Sequence, residues 1–182
     1  MYDQPPSKKT AVKLLFKSGC SPKVVKHCRA VAKVATEIAE VCKKKGLDVD
    51  VKLVEIGALL HDIGRSKTHS VHHAVIGAEI AKSLELPNAV IAIIERHVGG
   101  GITSEEAKKL GWPIKDYSPQ TLEEKIVSYA DKLIDGSKRV PIERTIKNLS
   151  KKIPQSSIDG IKRLHEEFSS LIGDFDVHHD TA

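Results

Sequence analysis

The sequence predicts an all-α fold, and three features of this 182-residue chain favour it. Apolar residues recur with helical spacing in almost every segment, and no segment alternates apolar and polar residues as a half-buried strand does. Capping residues precede most of these segments, and glycines or prolines follow them. Hydrophobic residues make up 40% of the chain and charged residues 29%, as in water-soluble globular domains. We therefore expect a helical bundle that forms a single domain over residues 1–182.

Helix boundaries are well marked in the first half of the chain. Ser21 and Pro22 supply an N-cap and a first-turn proline for the longest helix, which Gly46 closes. Asp50 caps the next helix, and Gly64 ends its apolar run. The predicted helices span residues 7–17, 22–45, 51–62, 71–84 and 88–97, with a polar loop at 65–70.

The second half of the chain predicts four more helices. Thr103 and Glu106 form a capping box that starts a short helix, and Thr121 and Glu124 have the same spacing at the next one. The later helices span residues 121–135, 141–152 and 156–172. We expect a core at about residues 21–139, with the helices of residues 141–172 packing on it and a polar tail at 173–182.

Charge and cysteine content bound the partners and the compartment. Lys and Arg number 29 against 24 Asp and Glu, and the net charge of +5 mildly favours anionic partners such as phosphates. No dense basic run predicts a nucleic-acid arm, and no apolar run is long enough to span a bilayer. Three cysteines without a Cys-x-x-Cys pair favour a reducing compartment, so we expect a cytoplasmic protein. The oligomeric state stays open.

The most informative feature is the dipeptide His61-Asp62, which follows an apolar helical run. An imidazole and a carboxylate at the inner end of a helix are costly to bury unless something binds both, as a divalent metal does. Further polar residues occupy core-facing helical positions, namely His27, His73, His97 and Asp131. Each of them alone is more often a hydrogen-bonded core residue than a ligand. Together the six favour a metal centre, because burying them without metal would need many compensating partners.

The ordered set His27, His61-Asp62 and Asp131 resembles the motif of the HD-domain superfamily of metal-dependent phosphohydrolases. The run from Leu60 to Arg65 is similar to the superfamily's His-Asp-Ile-Gly-Lys motif, with arginine in place of lysine. His73 and His97 resemble the additional histidines of its two-metal members. The Gly-Tyr-Pro signature of cyclic-di-GMP phosphodiesterases is absent. The resemblance covers about residues 24–139 and implies an HD-domain-like helical bundle.

The resemblance also implies roles for the site residues. We expect His27, His61, Asp62 and Asp131 to hold one divalent metal and His73 and His97 a second, with Asp62 bridging, or a single metal if the last two histidines are unused. Mn, Fe, Co or Ni suits this mixed imidazole and carboxylate set better than Mg. The residues expected in catalysis are His61, Asp62 and Arg65. Independently of the resemblance, those expected at the substrate are Arg65, His72, Lys132 and Arg139, for which solvated surface positions are the open alternative.

The expected activity is hydrolysis of a phosphoester or phosphoanhydride bond in a nucleotide or similar small phosphate compound by a metal-activated water. The alternative is a metal-binding regulatory module that senses a nucleotide without cleaving it. Two loop features are open at this point. The glycines at 99–101 fit substrate approach, a lid or a flexible turn. Trp112 and Tyr117 fit either stacking on a nucleobase or packing against the bundle.

Overall fold

The computed structural model describes residues 4–173, and over that range the predicted all-α fold is confirmed. The helices are α1 (Lys8–Ser18), α2 (Pro22–Lys44), α3 (Val51–Leu60), α4 (His73–Ser83), α5 (Asn88–Arg96), α6 (Ser104–Lys109), α7 (Leu122–Lys132), α8 (Ile142–Leu149) and α9 (Gln155–Ile172). A 3-10 helix (Ile63–Ser66) follows α3, and two short strands, β1 (Ile134–Asp135) and β2 (Lys138–Arg139), follow α7. Residues 174–182 of the predicted polar tail lie outside the described residues, and the single-domain organisation stays a prediction.

The long helix α2 forms the centre of the bundle. The Ser21 side chain accepts a hydrogen bond from the Val24 amide, as the predicted N-cap requires. Helices α3 and α7 pack on α2. The apolar stripe of α2 includes side chains that are fully buried: Cys28, Val31, Ala35, Ile38 and Cys42. This packing places the C-terminal ends of α3 and α7 beside His27 near the start of α2.

The end of α7 differs from the prediction. The apolar spacing predicts a helix to residue 135, whereas α7 ends at Lys132 and the chain then forms a two-stranded antiparallel ladder over residues 134–139. Gly136 and Ser137 form the two-residue turn between the paired Asp135 and Lys138, and Gly136 has a φ of 63°, which side chains disfavour. Because the apolar spacing continues past residue 132, the sequence pattern did not indicate this turn. The turn brings the Gly136 carbonyl to His27.

The glycines after His97 form a packed turn. A Cβ on Gly100 would overlap backbone atoms of Gly160 and Ile161, so α9 crosses this loop at backbone contact. The Gly100 amide donates to the Ser157 carbonyl at 3.1 Å, and the Ser157 hydroxyl donates to the Gly101 carbonyl at 2.9 Å. The close approach of two backbones explains glycine at position 100.

Trp112 and Tyr117 pack into a small cluster beside α4. They are 5% and 1% exposed, and their rings meet edge to face with centroids 5.1 Å apart. The Trp112 Nε1 donates a hydrogen bond to His72 Nδ1 at 2.8 Å. The structure therefore favours packing over base stacking for these aromatic residues. Within residues 4–173, no helix combines the length and the apolar character that crossing a bilayer would need.

Candidate metal centre

The dipeptide His61-Asp62 lies at the buried end of α3. The preceding Leu59 and Leu60 are fully buried, so the helix carries the dipeptide into the core. His61 is 0% exposed and Asp62 is 2% exposed. Two polar side chains placed so deeply need partners that compensate for their lost hydration.

The six predicted ligands converge at this point. They come from separate segments: His27 from α2, His61 and Asp62 from the end of α3, His73 from the start of α4, His97 from the residue after α5, and Asp131 from α7. Asp131 Oδ1 lies 3.0 Å from His27 Nε2 and 3.5 Å from His61 Nε2. The fold thus brings together residues that are up to about a hundred positions apart in the chain.

The two oxygens of Asp62 face different histidine pairs. Oδ1 lies 3.1 Å from His73 Nε2 and 3.5 Å from His97 Nε2. Oδ2 lies 3.7 Å from both His27 Nε2 and His61 Nε2. The site thus has two halves, one with His27 and His61 and the other with His73 and His97. One carboxylate oxygen of Asp62 faces each half, as a ligand that bridges two metals requires.

A backbone carbonyl holds the Nδ1 atom of each of these histidines. The bonds join His27 to Gly136 at 2.8 Å, and His61, His73 and His97 to Ala58, Ser70 and Ile94, each at 2.7 Å. Because a carbonyl oxygen only accepts, Nδ1 donates in all four rings, and a neutral ring then presents an unprotonated Nε2 to the centre. Outer hydrogen bonds of this kind fix the tautomer of metal-ligating histidines.

The electrostatics keep both carboxylates ionised. Burial alone would raise the pKa of Asp62, but the neighbouring histidines, His61 foremost, outweigh it and hold that pKa well below its usual value. Burial of Asp131 is likewise outweighed, chiefly by the Lys132 ammonium, so its pKa is also well below the usual value. Burial lowers the pKa of His97 to about 4, which leaves its ring neutral near pH 7.

This donor set fits a divalent metal. His61 Nε2 and Asp62 Oδ1 are buried and make no hydrogen bond within the described part of the chain. His73 Nε2 and His97 Nε2 lie 3.0 Å apart, and in neutral rings whose Nδ1 atoms donate to carbonyls the two Nε2 lone pairs face each other and repel. Two triads have ligand atoms within 4.8 Å of one another: His27, His61 and Asp131, and His61, Asp62 and His97. A bound cation would satisfy the orphaned atoms and remove the repulsion.

Arg65 holds the Asp62 carboxylate in place. Its Nε donates to Asp62 Oδ2 at 2.5 Å, and its Nη1 donates to the His69 carbonyl at 3.4 Å. The side chain is 30% exposed and also lines the cavity above the site. Its observed contact thus positions a ligand, and its role at a substrate phosphate stays a prediction.

Lys132 joins the two halves of the site. Its side chain is only 7% exposed, and Nζ donates to Asp131 Oδ2 at 2.6 Å and to the His97 carbonyl at 3.0 Å. One ammonium therefore fixes the carboxylate from α7 relative to the histidine after α5. Because these acceptors already hold the ammonium, Lys132 serves first to position the ligands.

We expect Lys132→Met to lower the free energy of unfolding by about 2 kcal/mol, because it leaves the Asp131 carboxylate, which is 18% exposed, without its main counter-charge. Lys125→Met is the matched control on the same helix. Lys125 pairs with Glu167 at 2.8 Å but is 30% exposed, so its loss should cost about 1 kcal/mol or less. Urea unfolding in EDTA measures both, and equal destabilisation by the two variants would contradict the role given to Lys132.

A cavity of about 580 Å³ opens above the centre, and the side chains of His27, His73, His97 and Asp131 lie at its base. Neither His72 nor Arg139 is among the described residues that line it. The His72 ring turns to Trp112, and the hairpin directs Arg139 towards Glu37 of α2, 3.8 Å away. The substrate contacts predicted for these two residues stay a prediction.

The site residues fall within a known family. The sequence model of the family described as HD domain matches residues 24–134, which is more than half of the chain and contains all six converging residues. This chain belongs to the HD domain family. HD domains bind divalent metals, and the His and Asp cluster of this HD domain has a donor set that agrees with that property.

Relatives of this HD domain include both free-standing and larger proteins. An uncharacterized protein of Methanocaldococcus jannaschii is 51% identical over 160 residues, which cover 87% of this chain and 95% of that protein. The tRNA (cytidine(56)-2'-O)-methyltransferase of Picrophilus torridus is 41% identical over 168 residues, which cover 92% of this chain but 48% of that enzyme. Ribonuclease Y of Thermoanaerobacter pseudethanolicus is 32% identical over 144 residues, 76% of this chain and 24% of the enzyme. The chain thus spans about half and about a quarter of these two enzymes.

The fold also matches a solved structure. The HD domain of the L. monocytogenes phosphodiesterase PgpH, in complex with cyclic-di-AMP, superimposes with a TM-score of 0.52 and covers 94% of this chain and 100% of that chain. The two sequences are 22% identical, so the similarity supports the fold alone.

One wall of the cavity is not indicated by the sequence pattern. It consists of residues from α8 and the turn that follows: Arg144, Thr145, Asn148, Leu149, Lys152 and Ile153. Taken along the sequence, Arg144, Asn148 and Lys152 are typical of a solvated surface. Arg144 and Asn148 lie on one side of α8, and Lys152 lies in the turn after it, but only the tertiary fold shows that they face the site.

Proposed function

We propose that this HD domain is a metal-dependent phosphohydrolase that cleaves a phosphoester or phosphoanhydride bond of a nucleotide or similar small phosphate compound. The observation that carries the proposal is the position of Asp62, whose two oxygens face separate histidine pairs. Paired metal sites recur in phosphatases and nucleases, which displace a leaving oxygen from phosphorus.

The ligands divide into two sets. Asp62 Oδ2 with His27, His61 and Asp131 would hold one divalent ion, and Asp62 Oδ1 with His73 and His97 a second. Such ions, when bound, supply an activated water and positive charge at phosphorus. The chain itself favours the tautomers protonated at Nδ1 through four backbone carbonyls, which leaves Nε2 to bind metal, and it keeps Asp62 and Asp131 ionised. Mn, Fe, Co or Ni suits this donor set better than Mg.

The cavity supports a nucleotide-sized substrate. Its volume of about 580 Å³ is within the range of small-molecule sites and exceeds what one phosphate needs. Aliphatic side chains, including Val71, Val98, Ile134 and Leu149, supply apolar walls for a sugar or base. One relative, of which this chain spans 24%, is named Ribonuclease Y. That name agrees with a phosphodiester of a nucleotide as the substrate class.

The test combines metal analysis with a substrate panel. The purified chain is loaded with Mn or Co, its metal content is measured by elemental analysis, and nucleotides, cyclic nucleotides and dinucleoside polyphosphates are assayed for cleavage. We expect hydrolysis that EDTA abolishes and that added metal restores. Nucleotide binding without cleavage would favour the sensing module instead. Absence of both binding and cleavage would overturn the proposal.

We expect His73→Ala to lower the metal content from about two ions per chain to about one, because it removes a ligand only from the half of the site that faces Asp62 Oδ1. His69→Ala is the control, since this nearby histidine is exposed and its carbonyl, not its ring, contacts Arg65. A metal content of one in the unaltered chain would reject the two-metal arrangement. Loss of all metal in His73→Ala would reject the division of ligands.

A further inference from the structure

We infer that the cavity contains a second anion subsite, formed by Arg144, Asn148 and Lys152, which selects substrates that carry a phosphate group in addition to the one cleaved. The inference rests on the proposed function and specifies its substrate class. The three residues line the same cavity as the metal ligands and lie outside residues 24–134, the range matched by the family. The subsite therefore lies in the C-terminal segment, beyond the range that the family model matches.

Helix α8 is anchored over the cavity at both ends. Near its start, the Thr145 hydroxyl donates to the Lys132 carbonyl at 2.7 Å, one residue from Asp131. Just beyond its end, Ile153 packs beside Gly99. A Cβ at position 99 would lie 3.7 Å from the Ile153 side chain. The wall thus contacts both the end of α7 and the loop after His97.

The positive charge that is available to a ligand lies on this wall. The cations nearest the centre are already paired, Arg65 with Asp62 at 2.5 Å and Lys132 with Asp131 at 2.6 Å. By contrast, the Lys152 ammonium and the Asn148 amide make no hydrogen bond or ion pair with any residue in the described range 4–173.

Arg144 is only loosely held. It contacts Asp135 at 3.3 Å, and the two side chains are 62% and 57% exposed, so the pair is weak and open to exchange. Arg144 and Asn148 are one helical turn apart on the same side of α8, and Lys152 follows in the next turn. The wall therefore presents two cations with an amide donor between them, a set that suits phosphate oxygens.

This arrangement distinguishes substrates by their number of phosphates. A nucleoside monophosphate bound through its phosphate at the centre has no second anion for Lys152. A nucleotide with a second phosphate, linked by an anhydride or an ester, places that group towards the wall. Leu149 and Ile153, on the same wall, offer apolar contact for the sugar or base. We therefore expect preference for nucleoside polyphosphates or dinucleotides over monophosphates.

The test variant is Lys152→Glu, and Lys151→Glu is its matched control, since Lys151 is the adjacent exposed lysine and does not line the cavity. KM is measured for AMP, ADP and the linear dinucleotide pApA with the Mn-loaded chain. We expect Lys152→Glu to raise KM for ADP or pApA, relative to AMP, by about fivefold or more, and Lys151→Glu to change that ratio by less than about twofold. A larger effect on ADP indicates that the second phosphate is linked by an anhydride, and a larger effect on pApA indicates an ester linkage.

Failure of the subsite and failure of the proposed function give different results. Hydrolysis with the same KM ratio in Lys152→Glu and the unaltered chain overturns the subsite and leaves the hydrolase proposal intact. If the unaltered chain cleaves none of the three, the hydrolase proposal fails for them, and calorimetric binding of the same nucleotides decides the subsite. Tighter binding of ADP or pApA than of AMP that disappears in Lys152→Glu supports the subsite. If this binding preference is absent, or is unchanged in Lys152→Glu, the subsite is overturned.

Discussion

Asp62→Asn is expected to abolish hydrolysis and to remove metal from both halves of the site. The Asp62 oxygens lie within 3.1 to 3.7 Å of the Nε2 atoms of all four site histidines. Asparagine keeps the size of this buried side chain but loses its negative charge and one ligand oxygen. Metal catalysis at phosphorus contributes several kcal/mol, and each 1.36 kcal/mol is tenfold in rate, so kcat/KM should fall by about 10³-fold or more.

The measurements for Asp62→Asn are activity, metal content and the rise in melting temperature on adding Mn. Asp48→Asn is the control, because this aspartate is exposed in the turn between α2 and α3, away from the site. The control should keep the metal-induced rise in melting temperature, whereas Asp62→Asn should lose most of it. Two ions per chain and full activity in Asp62→Asn would refute the bridging role.

Gly64→Ala is expected to lower the free energy of unfolding by about 3 kcal/mol and to displace His73 from Asp62. A Cβ at position 64 would overlap the His73 carbonyl oxygen and lie 2.7 Å from the Gly77 amide nitrogen. Both neighbours are backbone atoms of α4, so the whole helix must shift to make room. Since His73 Nε2 lies 3.1 Å from Asp62 Oδ1, that shift should weaken metal binding in this half of the site.

Gly46→Ala separates this steric effect from the general cost of replacing glycine. Gly46 has a φ of 85° and no atom within 4 Å of an added Cβ, so its replacement should cost about 1 kcal/mol through backbone strain alone. Urea unfolding in EDTA gives the stabilities, and elemental analysis gives the metal content. If Gly64→Ala were no less stable than Gly46→Ala and kept two ions, contact between the 3-10 helix and α4 would not control the site.

The helices followed from sequence because their signals are local. Caps such as Ser21, Asp50 and Thr103 bond to amides three residues away, and the spacing of buried residues in α2 reports which side faces the core. The same local logic selected the inward-facing His27 and Asp131 beside the His61-Asp62 pair. Where the period continued past a turn, as at Gly136, it predicted helix in place of a hairpin.

The tertiary structure decided what depends on distances between segments. In the tertiary structure the two oxygens of Asp62 face different histidine pairs, and Lys132 donates hydrogen bonds to Asp131 and to the His97 carbonyl. The tertiary structure also turned His72 and Arg139 away from the cavity and placed α8 across it.

The sequence by itself determined that this chain is helical and which side chains enter its core, since helical period and capping are properties of neighbouring residues. The packing of the helices decided how those side chains meet, and it placed α8 beside the cavity above them. The physical reason is that a helix face is specified within a few turns. The partner of that face, and thus the geometry of the site, is set by contacts between residues far apart in the chain.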